Sequence, residues 1–509
     1  MGPRAGSHRQ TAGTAAYSLS YREAGHVTRL GWLARVPLSS GEVEVHHGDL
    51  VETREQWFVE GCWDGSLEQG GFDQSNSFFG SGIRLRSDEV IAVASRATVD
   101  NLFYCSTRDE VIISNSLLML LAMTGARLAG DNGYEESFTG AVRGIKGYRK
   151  SFPVTHASFA SVSQLYYGNL RIGQGELTVE LPPCPASFES YDSYLAFLIG
   201  KATAICANAT SSARRRPMDC YATLSTGYDS TAVACLVSKH CGVNRCVTTH
   251  PDGVGAAQRE DARPIAAMLG MEPFFIDAAS EGLGSRELYY YAANFHHFEM
   301  IFDKATRMFE SKNHPTLLFT GYHGDKVWDR NLKERYLSDE LKRGDMSGKG
   351  LGEIRLKAGF VNAALPFLGA RTVSQIVAIS KSAEMRPWSV GGDYDRPIPR
   401  RICEEAGIPR VAFGQQKRKI TTHKSRPVDR DLRRRFMKDL KADFGIGSGR
   451  LLLFDVLDLL SYRLDRFRLF DFLSEWKRSA LLGKANLRLL LSIWAINKTA
   501  DSMHQKLSG

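Results

Sequence analysis

Short alternating runs of apolar and polar residues fill the chain from about Gly31 to Pro182, and Gly, Asp, Asn and Ser separate the runs. This pattern is typical of β-strands that bury one face, because successive side chains of a strand point to opposite sides. One helix is predicted inside the region, over 116–124, and two further strands are predicted over 168–181. The pattern therefore predicts that the first part of the chain is rich in β-structure.

After Pro183 the pattern changes to alternating helices and strands. A helix is predicted over 191–207, because its apolar residues recur with helical spacing. The elements that follow are predicted as strand 219–224, helix 231–240, strand 245–249, helix 260–269, strand 273–277 and strand 317–320. Such alternation forms a parallel sheet with helices on both faces. We therefore predict a doubly wound α/β fold, followed from Leu432 by helices rich in Leu and Arg.

Length and composition agree with several globular domains. The 509 residues exceed what one hydrophobic core usually holds, and the apolar share of 43% and charged share of 24% are ordinary for a globular protein. The predicted units are a tail over 1–15, a β-rich domain over 16–185, an α/β domain over 186–430, and a helical extension over 431–509. We expect the extension to pack on the α/β domain.

Several patterns concern localisation and metals. No apolar run approaches the ~20 residues of a membrane-spanning helix, and no signal peptide follows the polar N-terminus. The nine cysteines are scattered without a CxxC pair, so neither a disulfide framework nor a zinc site is predicted. The segment His296-His297-Phe298-Glu299 lacks the spacing of a helical metal site and is predicted to be structural. We therefore expect a cytoplasmic protein without a membrane partner.

The net charge of +9 raises the question of a nucleic-acid partner. Much of the excess lies in the last part of the chain, including the basic runs 417–419 and 433–435. Charge runs of this size are typical of solvated helix faces, so a nucleic-acid partner is not predicted. The sequence neither requires nor excludes a homodimer.

The predicted strand 219–224 ends in a loop, Ser225-Thr-Gly-Tyr-Asp-Ser-Thr231, that has the composition of a phosphate site. Gly227 lets backbone amides approach a ligand, and the helix that follows contributes unpaired amides and the positive end of its dipole. Asp229 fits such a site when it holds Mg²⁺ against phosphates. The alternative is that Ser or Asp merely caps the helix. The position after the first strand of a parallel sheet favours the phosphate site.

The loop resembles the SGGxDSS pyrophosphate loop of N-type ATP pyrophosphatases, with Thr226 and Thr231 at two of its positions. Later segments resemble, in the same order, motifs of the asparagine synthetase and β-lactam synthetase family. They are 320–325 (its SGxGxDE loop), 394–397 (its YDRP stretch) and 414–417 (its lysine loop). His323 and Lys326 depart from the family pattern. The resemblance implies a PP-loop synthetase domain of the adenine nucleotide alpha hydrolase type.

Residues 100–104 and 111–115 resemble two strands in the N-terminal, Ntn-type glutaminase domain of the same family. In that family the glutaminase nucleophile is a cysteine directly after the initiator Met. Here residue 2 is Gly2, and the first cysteine is Cys62. The resemblance therefore implies a degenerate glutaminase-like domain, and we expect no glutamine hydrolysis.

The resemblance also implies a reaction. The family adenylates a carboxylate with ATP and Mg²⁺, releases pyrophosphate, and lets an amine attack the acyl-AMP. Asp229 and Asp325 would hold Mg²⁺, and Lys417 would stabilise the acyl-AMP or the tetrahedral oxyanion. The residues expected at the nucleotide are Leu224 (through its backbone), Ser225, Thr226, Gly227, Tyr228, Asp229, Ser230, Thr248 and Gly321. The alternatives are a turn carboxylate at Asp325, a surface lysine at Lys417 and a plain strand residue at Thr248.

Tyr322 occupies a position that distinguishes members of the family. Ammonia-using asparagine synthetases carry an acidic residue there, whereas β-lactam and carbapenam synthetases carry a tyrosine that works with a glutamate as a base. A tyrosine, with a pKa of ~10, needs such a partner to accept a proton at neutral pH. Glu353 and Glu384 are both catalytic candidates for this role. The alternative is that Tyr322 packs against the nucleotide.

We therefore predict an ATP-dependent amide-forming ligase of natural-product biosynthesis, whose substrates are a small-molecule or peptide carboxylate and an amine. One alternative is a PP-loop enzyme that modifies tRNA, which the basic C-terminal region favours. Another is a catalytically inactive member of the same family, which Thr226, His323 and Lys326 favour.

Overall fold

A computed structural model describes residues 17–128, 133–184, 187–249, 261–276, 282–294, 299–415, 426–447, 449 and 487–508. Among these residues, no helix combines the length and the apolar character needed to cross a bilayer.

Two sheets form the β-rich part of the chain, and the pattern of alternating residues predicted this region. Their strands are β1 Ser18–Glu23, β2 Trp32–Pro37, β3 Glu42–His47, β4 Glu52–Thr53, β5 Trp57–Trp63, β6 Phe78–Arg86, β7 Glu89–Val93, β8 Leu102–Ser106, β9 Glu110–Ser114, β10 Ser151–Pro153, β11 Ser161–Leu165, β12 Asn169–Gly173 and β13 Glu176–Glu180. One sheet has the order β1-β3-β2-β9-β8-β11-β10, and the other has the order β13-β12-β7-β6-β5-β4.

The two sheets share one apolar core. Side chains from both sheets, among them Trp32, Val45, Phe58 and Ile83, are buried in a single cluster. Because successive residues of a strand face opposite ways, burying one face of each sheet in this way requires the period-two pattern seen in the sequence.

Three helices belong to this part of the chain: α1 Leu117–Thr124, α2 Tyr134–Thr139 and α3 Gly144–Gly147. Helix α1 confirms the helix predicted over 116–124. It begins where Ser116 Oγ accepts a hydrogen bond from the Met119 amide at 3.1 Å, and it ends at Gly125, whose φ of 75° is in the left-handed region.

The second part of the chain is built on a parallel sheet of five strands. They are β14 Asp219–Thr223, β15 Arg245–Thr249, β16 Glu272–Ile276, β17 Thr316–Thr320 and β18 Phe360–Ala364, in the order β16-β15-β14-β17-β18. All neighbouring pairs are parallel. The chain therefore leaves β14 toward one edge of the sheet and returns on the other side of β14, which makes β14 the point where the strand order reverses.

Helices follow most of these strands. They are α4 Tyr191–Ala209, α5 Tyr228–Cys241, α6 Arg263–Met268, α7 Glu287–Ala293, α8 Asp303–Glu310, α9 Gly324–Val327, α10 Gly352–Ala358, α11 Val373–Lys381, α12 Pro397–Glu405, α13 Arg430–Phe444 and α14 Leu487–Ser508. Both faces of the sheet are buried. Ala222 packs with residues of α4 and α5, whereas its neighbour Tyr221 packs with residues of α7 and α8. The prediction of a parallel sheet with helices on both faces is confirmed.

Helices α2, α3 and α7 to α12 were not predicted as elements, and two further differences concern the parallel sheet. Helix α5 begins at Tyr228, three residues before the predicted start, because Gly227 is in extended backbone and leaves Tyr228, Asp229 and Ser230 in the first turn. Strand β18 was not predicted. It starts directly after Gly359, whose φ of 83° ends α10 in the left-handed region.

The helix at the end of the chain joins the two parts. The Ser492 hydroxyl of α14 donates to the Tyr291 carbonyl of α7 at 2.6 Å, and His504 Nδ1 lies 2.8 Å from the Ala122 carbonyl of α1. The C-terminal extension was expected to pack on the α/β domain, and α14 packs on the β-rich part as well.

A buried ionic group also joins the two parts. Arg355 of α10 donates to both carboxylate oxygens of Glu60 on β5, at 2.9 and 3.1 Å, and to Asp100 at 2.7 Å. All three side chains are buried. The guanidinium supplies the counter-charge that offsets the desolvation of the two buried carboxylates.

We expect Arg355→Met to destabilise the protein by about 3–5 kcal/mol, because it leaves Glu60 and Asp100 buried without their counter-charge. Urea unfolding followed by circular dichroism measures the loss. Arg434→Met is the matched control, since Arg434 is 81% exposed and should cost less than about 0.5 kcal/mol. Equal effects of the two substitutions would show that the buried group does not hold the two parts together.

Candidate functional site

A cleft opens at the carboxyl edge of the parallel sheet, where the loops after β14, β15 and β17 meet. Its volume is about 290 Å³. In sheets of this kind ligands bind beyond the carboxyl ends of the strands, at the point where the strand order reverses. The predicted residues Leu224, Ser225, Gly227, Tyr228, Asp229, Ser230, Thr248, Gly321, Tyr322 and Asp325 all line this cleft.

The loop after β14 is wound tightly onto the start of α5. The hydroxyls of Ser225 and Ser230 lie 2.5 Å apart, and the Gly227 amide donates to Ser225 Oγ at 3.1 Å. The Thr231 hydroxyl donates to the carbonyls of Ser225 and Gly227 at 2.7 and 2.6 Å. The N-cap residue of α5 is Gly227, which has no side chain with which to cap the helix. The interpretation of the loop as a simple Ser or Asp cap therefore has no support.

Asp229, in the first turn of α5, forms an ion pair that the sequence did not predict. Arg396 Nη1 donates to both of its carboxylate oxygens at 2.5 Å. Burial by itself lowers the pKa of the Arg396 guanidinium, but Asp229, together with Asp325, more than offsets this effect and raises that pKa. The guanidinium thus stays charged beside the predicted metal ligand.

The loop after β17 lies directly on the first turn of α5. A Cβ atom on Gly321 would lie 2.6 Å from the backbone of Asp229 and Ser230, and one on Gly324 would lie 2.5 Å from Asp229 Cγ. Only glycine leaves room for this contact. The two loops that the resemblance singled out are therefore in contact.

Asp325, the second predicted metal ligand, also has a cationic partner. Lys326 Nζ lies 2.6 Å from its Oδ2. Burial by itself raises the pKa of Asp325, but the Lys326 ammonium outweighs burial and the pKa lies below its ordinary value. Both predicted metal carboxylates therefore line the cleft, each next to a cation.

His323 stands where the related loops have glycine, and it adopts a glycine-like backbone. Its φ is 75°, in the left-handed region. Its ring stacks on Phe367 with the centroids 4.3 Å apart. Burial lowers the pKa of the imidazole to about 3, so the ring is neutral at physiological pH. Stacking on Phe367 thus gives the His323 ring a place at a position where the resembled loop has glycine.

Among the other predicted nucleotide contacts, Thr248 is the most informative. It ends β15, is 3% exposed, and its Oγ1 has no hydrogen-bond partner within the described structure. Leu224 donates its amide to the Val247 carbonyl at 2.9 Å and so closes the end of β14. A buried hydroxyl without a partner costs free energy, and a ligand in the cleft would satisfy it.

Tyr228 and Thr226 connect the loop to the next segment of the chain. The Tyr228 ring is buried against Tyr394, with the centroids 4.9 Å apart, and its hydroxyl bonds to Arg400. The Thr226 carbonyl accepts the Gly414 amide at 2.8 Å. These contacts are structural. Lys417 itself lies outside the described residues, so its predicted role stays a prediction.

The structure does not bring Glu353 or Glu384 to Tyr322. The Glu353 carboxylate accepts hydrogen bonds from the Ser116 hydroxyl and the Leu117 amide at the start of α1, at 2.7 and 2.9 Å. Glu384 accepts the amide at the start of α4 at 3.1 Å. Neither residue lines the cleft. Each accepts hydrogen bonds at the start of a helix, a role that spacing along the chain cannot reveal.

A different glutamate, Glu299, lies beside Tyr322. Gly348 contacts both: its amide donates to Glu299 Oε1 at 2.6 Å, and a Cβ atom on it would lie 3.1 Å from the Tyr322 ring. Burial, followed by the Glu299 carboxylate, raises the pKa of Tyr322 well above its ordinary value. Both side chains line the cleft.

The functional residues that sequence reasoning missed are thus Arg396, Glu299 and Arg343. The YDRP-like stretch contained Arg396, but it carried no sign that the guanidinium would reach Asp229. Glu299 was considered only as a metal ligand. No pattern singled out Arg343, which lines the cleft and is buried.

Cys62 was named as the first cysteine of the chain. It is fully buried on β5, and burial raises the pKa of its thiol to about 12. Because the thiolate is the nucleophile of cysteine, Cys62 is unsuited to catalysis. Gly2 lies outside the described residues.

No protein-family profile matches the sequence, and no curated protein matches it. The described residues also contain no cluster of three or more His, Cys, Asp or Glu side chains arranged to hold a metal ion. The chemistry of the cleft therefore has to follow from the residues that line it.

We expect Gly321→Ala to destabilise the protein by about 1–3 kcal/mol, because its Cβ atom would push against the backbone of Asp229 and Ser230. Thermal denaturation measures the change. The matched control is Gly352→Ala, since a Cβ atom at Gly352 has no neighbour within 4 Å and alanine favours the helix α10 that begins there. If both variants melt at the same temperature, the two loops are not in contact in solution.

Proposed function

We propose that the protein is an ATP-dependent amide-forming ligase similar to the asparagine synthetases. It would activate a carboxylate as acyl-AMP, release pyrophosphate and pass the acyl group to an amine. The observation that carries the proposal is the contact between the loops after β14 and β17, which brings Asp229 and Asp325 into one cleft. On this proposal the parallel-sheet part is a PP-loop domain, and the paired sheets are a degenerate glutaminase-like domain.

The start of α5 suits the phosphates of ATP. A helix N-terminus without a side-chain cap presents backbone amides and a partial positive charge. Arg396 and Lys326 add two full positive charges to the same cleft. The unpartnered Thr248 hydroxyl, at the end of the neighbouring strand, suits the nucleoside part of the ligand.

Asp229 and Asp325 fit a magnesium ion that arrives with the nucleotide. Their carboxylate oxygens are hard ligands of the kind that bind Mg²⁺ together with phosphate oxygens. Such an ion would neutralise negative charge on the pyrophosphate leaving group. As the phosphates enter, Arg396 and Lys326 can donate to phosphate oxygens instead of carboxylates, since both cations form strong bonds to either group.

The source of the amine is expected to be a substrate rather than hydrolysed glutamine. The buried thiol of Cys62 supports this expectation. Tyr322 and Glu299 lie next to each other in the wall of the cleft. On this proposal the acceptor amine would meet the activated carboxylate beside them.

One observation favours a second function. Each predicted metal carboxylate already has a cationic partner, Arg396 on Asp229 and Lys326 on Asp325. Internal ion pairs of this kind can replace a metal, so the alternative is a nucleotide-binding member of the family without catalytic activity.

ATP–pyrophosphate exchange with a panel of carboxylic acids separates the two functions. The ligase should catalyse exchange with at least one acid, and Asp229→Asn should reduce it at least tenfold because the metal loses a charged ligand. Asp219→Asn is the matched control: Asp219 lies at the opposite end of β14 and is paired with Lys312 and Arg245. Exchange should survive this substitution.

Binding of ATP without exchange for any acid would favour the inactive protein. Absence of ATP binding would remove both functions. A pyrophosphate exchange that Asp229→Asn leaves intact would show that the reaction takes place elsewhere.

We expect Thr248→Val to weaken ATP binding about fivefold, because a ligand loses one hydrogen bond of about 1 kcal/mol. Isothermal titration calorimetry with ATP and Mg²⁺ measures the change. Thr316→Val is the control, since Thr316 Oγ1 is also buried without a partner but lies at the opposite edge of the same sheet. If the two variants bind ATP equally well, Thr248 does not contact the nucleotide.

A further inference from the structure

Three cysteines that are separated in the sequence lie together on one face of the parallel sheet. Cys206 is in the last turn of α4, Cys220 is on β14, and Cys241 is the last residue of α5. The Cys206 thiol is in hydrogen-bonding contact with the thiols of Cys220 and Cys241. All three cysteines are free.

The packing of α4 and α5 on β14 brings these thiols together. Cys206 is buried in the core between the two helices and the sheet, and Cys220 and Cys241 pack against that core. The Met218 amide donates to the Ala209 carbonyl at 2.9 Å, which holds the start of β14 against the end of α4. Because the contact depends on three separate elements, the spacing of the cysteines along the chain does not reveal it.

The three thiols differ in their access to solvent. Cys206 is 6% exposed, whereas Cys220 and Cys241 are partly exposed. The Cys206 thiol and the Thr203 hydroxyl donate hydrogen bonds to the Cys241 sulfur, and these bonds lower the pKa of the Cys241 thiol although burial acts in the opposite direction. Because the thiolate is the form of cysteine that reacts with oxidants, Cys241 is the reactive member of the group.

A metal ion is a poor match for these thiols. Cysteine sulfur can bind zinc or copper, but the part of the chain that the structure describes contains no group of three or more Cys, His, Asp or Glu side chains arranged to hold a metal. Two thiols in contact, one partly exposed and one buried, are instead the arrangement that a sulfenic acid and its resolving thiol require.

We propose that Cys241 and Cys206 form a peroxide-sensitive pair, in which hydrogen peroxide oxidises the two thiols to a disulfide between α4 and α5. The Cys241 sulfur attacks one oxygen of the peroxide, the O–O bond breaks, and the other oxygen takes a proton and leaves as water. The Cys206 sulfur then attacks the sulfenic sulfur of Cys241, so that the S–S bond forms and a second water leaves. Two thiols thus give two electrons and two protons to one peroxide, and a dithiol reductant reverses the oxidation.

The thiol pair lies at the opposite end of α5 from the cleft. The helix runs from Tyr228, which lines the cleft, to Cys241, and its 14 residues span about 20 Å. The inference therefore does not rest on the proposed ligase function, and it requires only the packing of α4 on α5.

A second pair of thiols in the same part of the fold is the matched control. Cys235 on α5 and Cys403 on α12 are also in hydrogen-bonding contact, but they are 1% and 0% exposed. Burial raises the pKa of the Cys403 thiol well above its ordinary value. Contact without access to solvent and without a thiolate should leave this pair reduced.

The test is mass spectrometry of tryptic peptides from the full-length protein after exposure to hydrogen peroxide, with the remaining thiols alkylated before digestion. Trypsin places Cys206 and Cys241 in separate peptides. We expect a cross-link between these two peptides that dithiothreitol removes, in a yield at least about tenfold above that of any cross-link between Cys235 and Cys403. Cys241→Ser should abolish the cross-link, and circular dichroism checks that this variant is folded.

The other outcomes would overturn the proposal. A disulfide between Cys206 and Cys220 would remove Cys241 from the reactive position, and equal yields from the exposed and the buried pair would show that exposure does not direct the oxidation. Cys184 is exposed and reports that peroxide has reached the protein. If Cys184 is oxidised and no cross-link to Cys241 forms, the pair is not sensitive to peroxide.

Discussion

The close contact between the loops after β14 and β17 is the constraint on which the cleft depends. Gly321 and Gly324 lie so close to Asp229 that a Cβ atom on either glycine would clash with it. The contact brings the carboxylates of two distant segments to one edge of the sheet. It also sets the start of α5, with its uncapped amides, at the floor of the cleft. Every chemical role proposed for the cleft follows from this geometry.

Charge is balanced locally around that contact. Asp229 is paired with Arg396 and Asp325 with Lys326, so the cleft holds its acids and bases in close pairs. Phosphates and a divalent cation would bring charges of both signs, which could exchange with these pairs without a large change in net charge. Glu299 differs, because its second oxygen is buried and lacks such a partner. The surroundings of Glu299 are therefore electrostatically distinct from those of Asp229 and Asp325.

Contacts between the two parts of the fold support the cleft. Arg355 ties the parallel-sheet part to Glu60 and Asp100 of the β-rich part, and α14 packs on both parts. The segment that carries Gly348 and Arg343 passes between them, since Arg343 donates to the Thr98 carbonyl. The β-rich part thus helps to position one wall of the cleft, which gives it a structural role whether or not it has any activity of its own.

The sequence alone determined the local features. Apolar periodicity predicted the β-rich region, helix α1 and the parallel sheet, because burial of one face imposes a period on each element. The loop composition predicted a phosphate site, which stays a prediction, and the loop does line the cleft. Only tertiary structure decided that Arg396 binds Asp229 and that Glu299, not Glu353 or Glu384, lies beside Tyr322. Such pairs depend on where distant segments cross in space, and a carboxylate that caps a helix looks the same in sequence as one that faces a ligand.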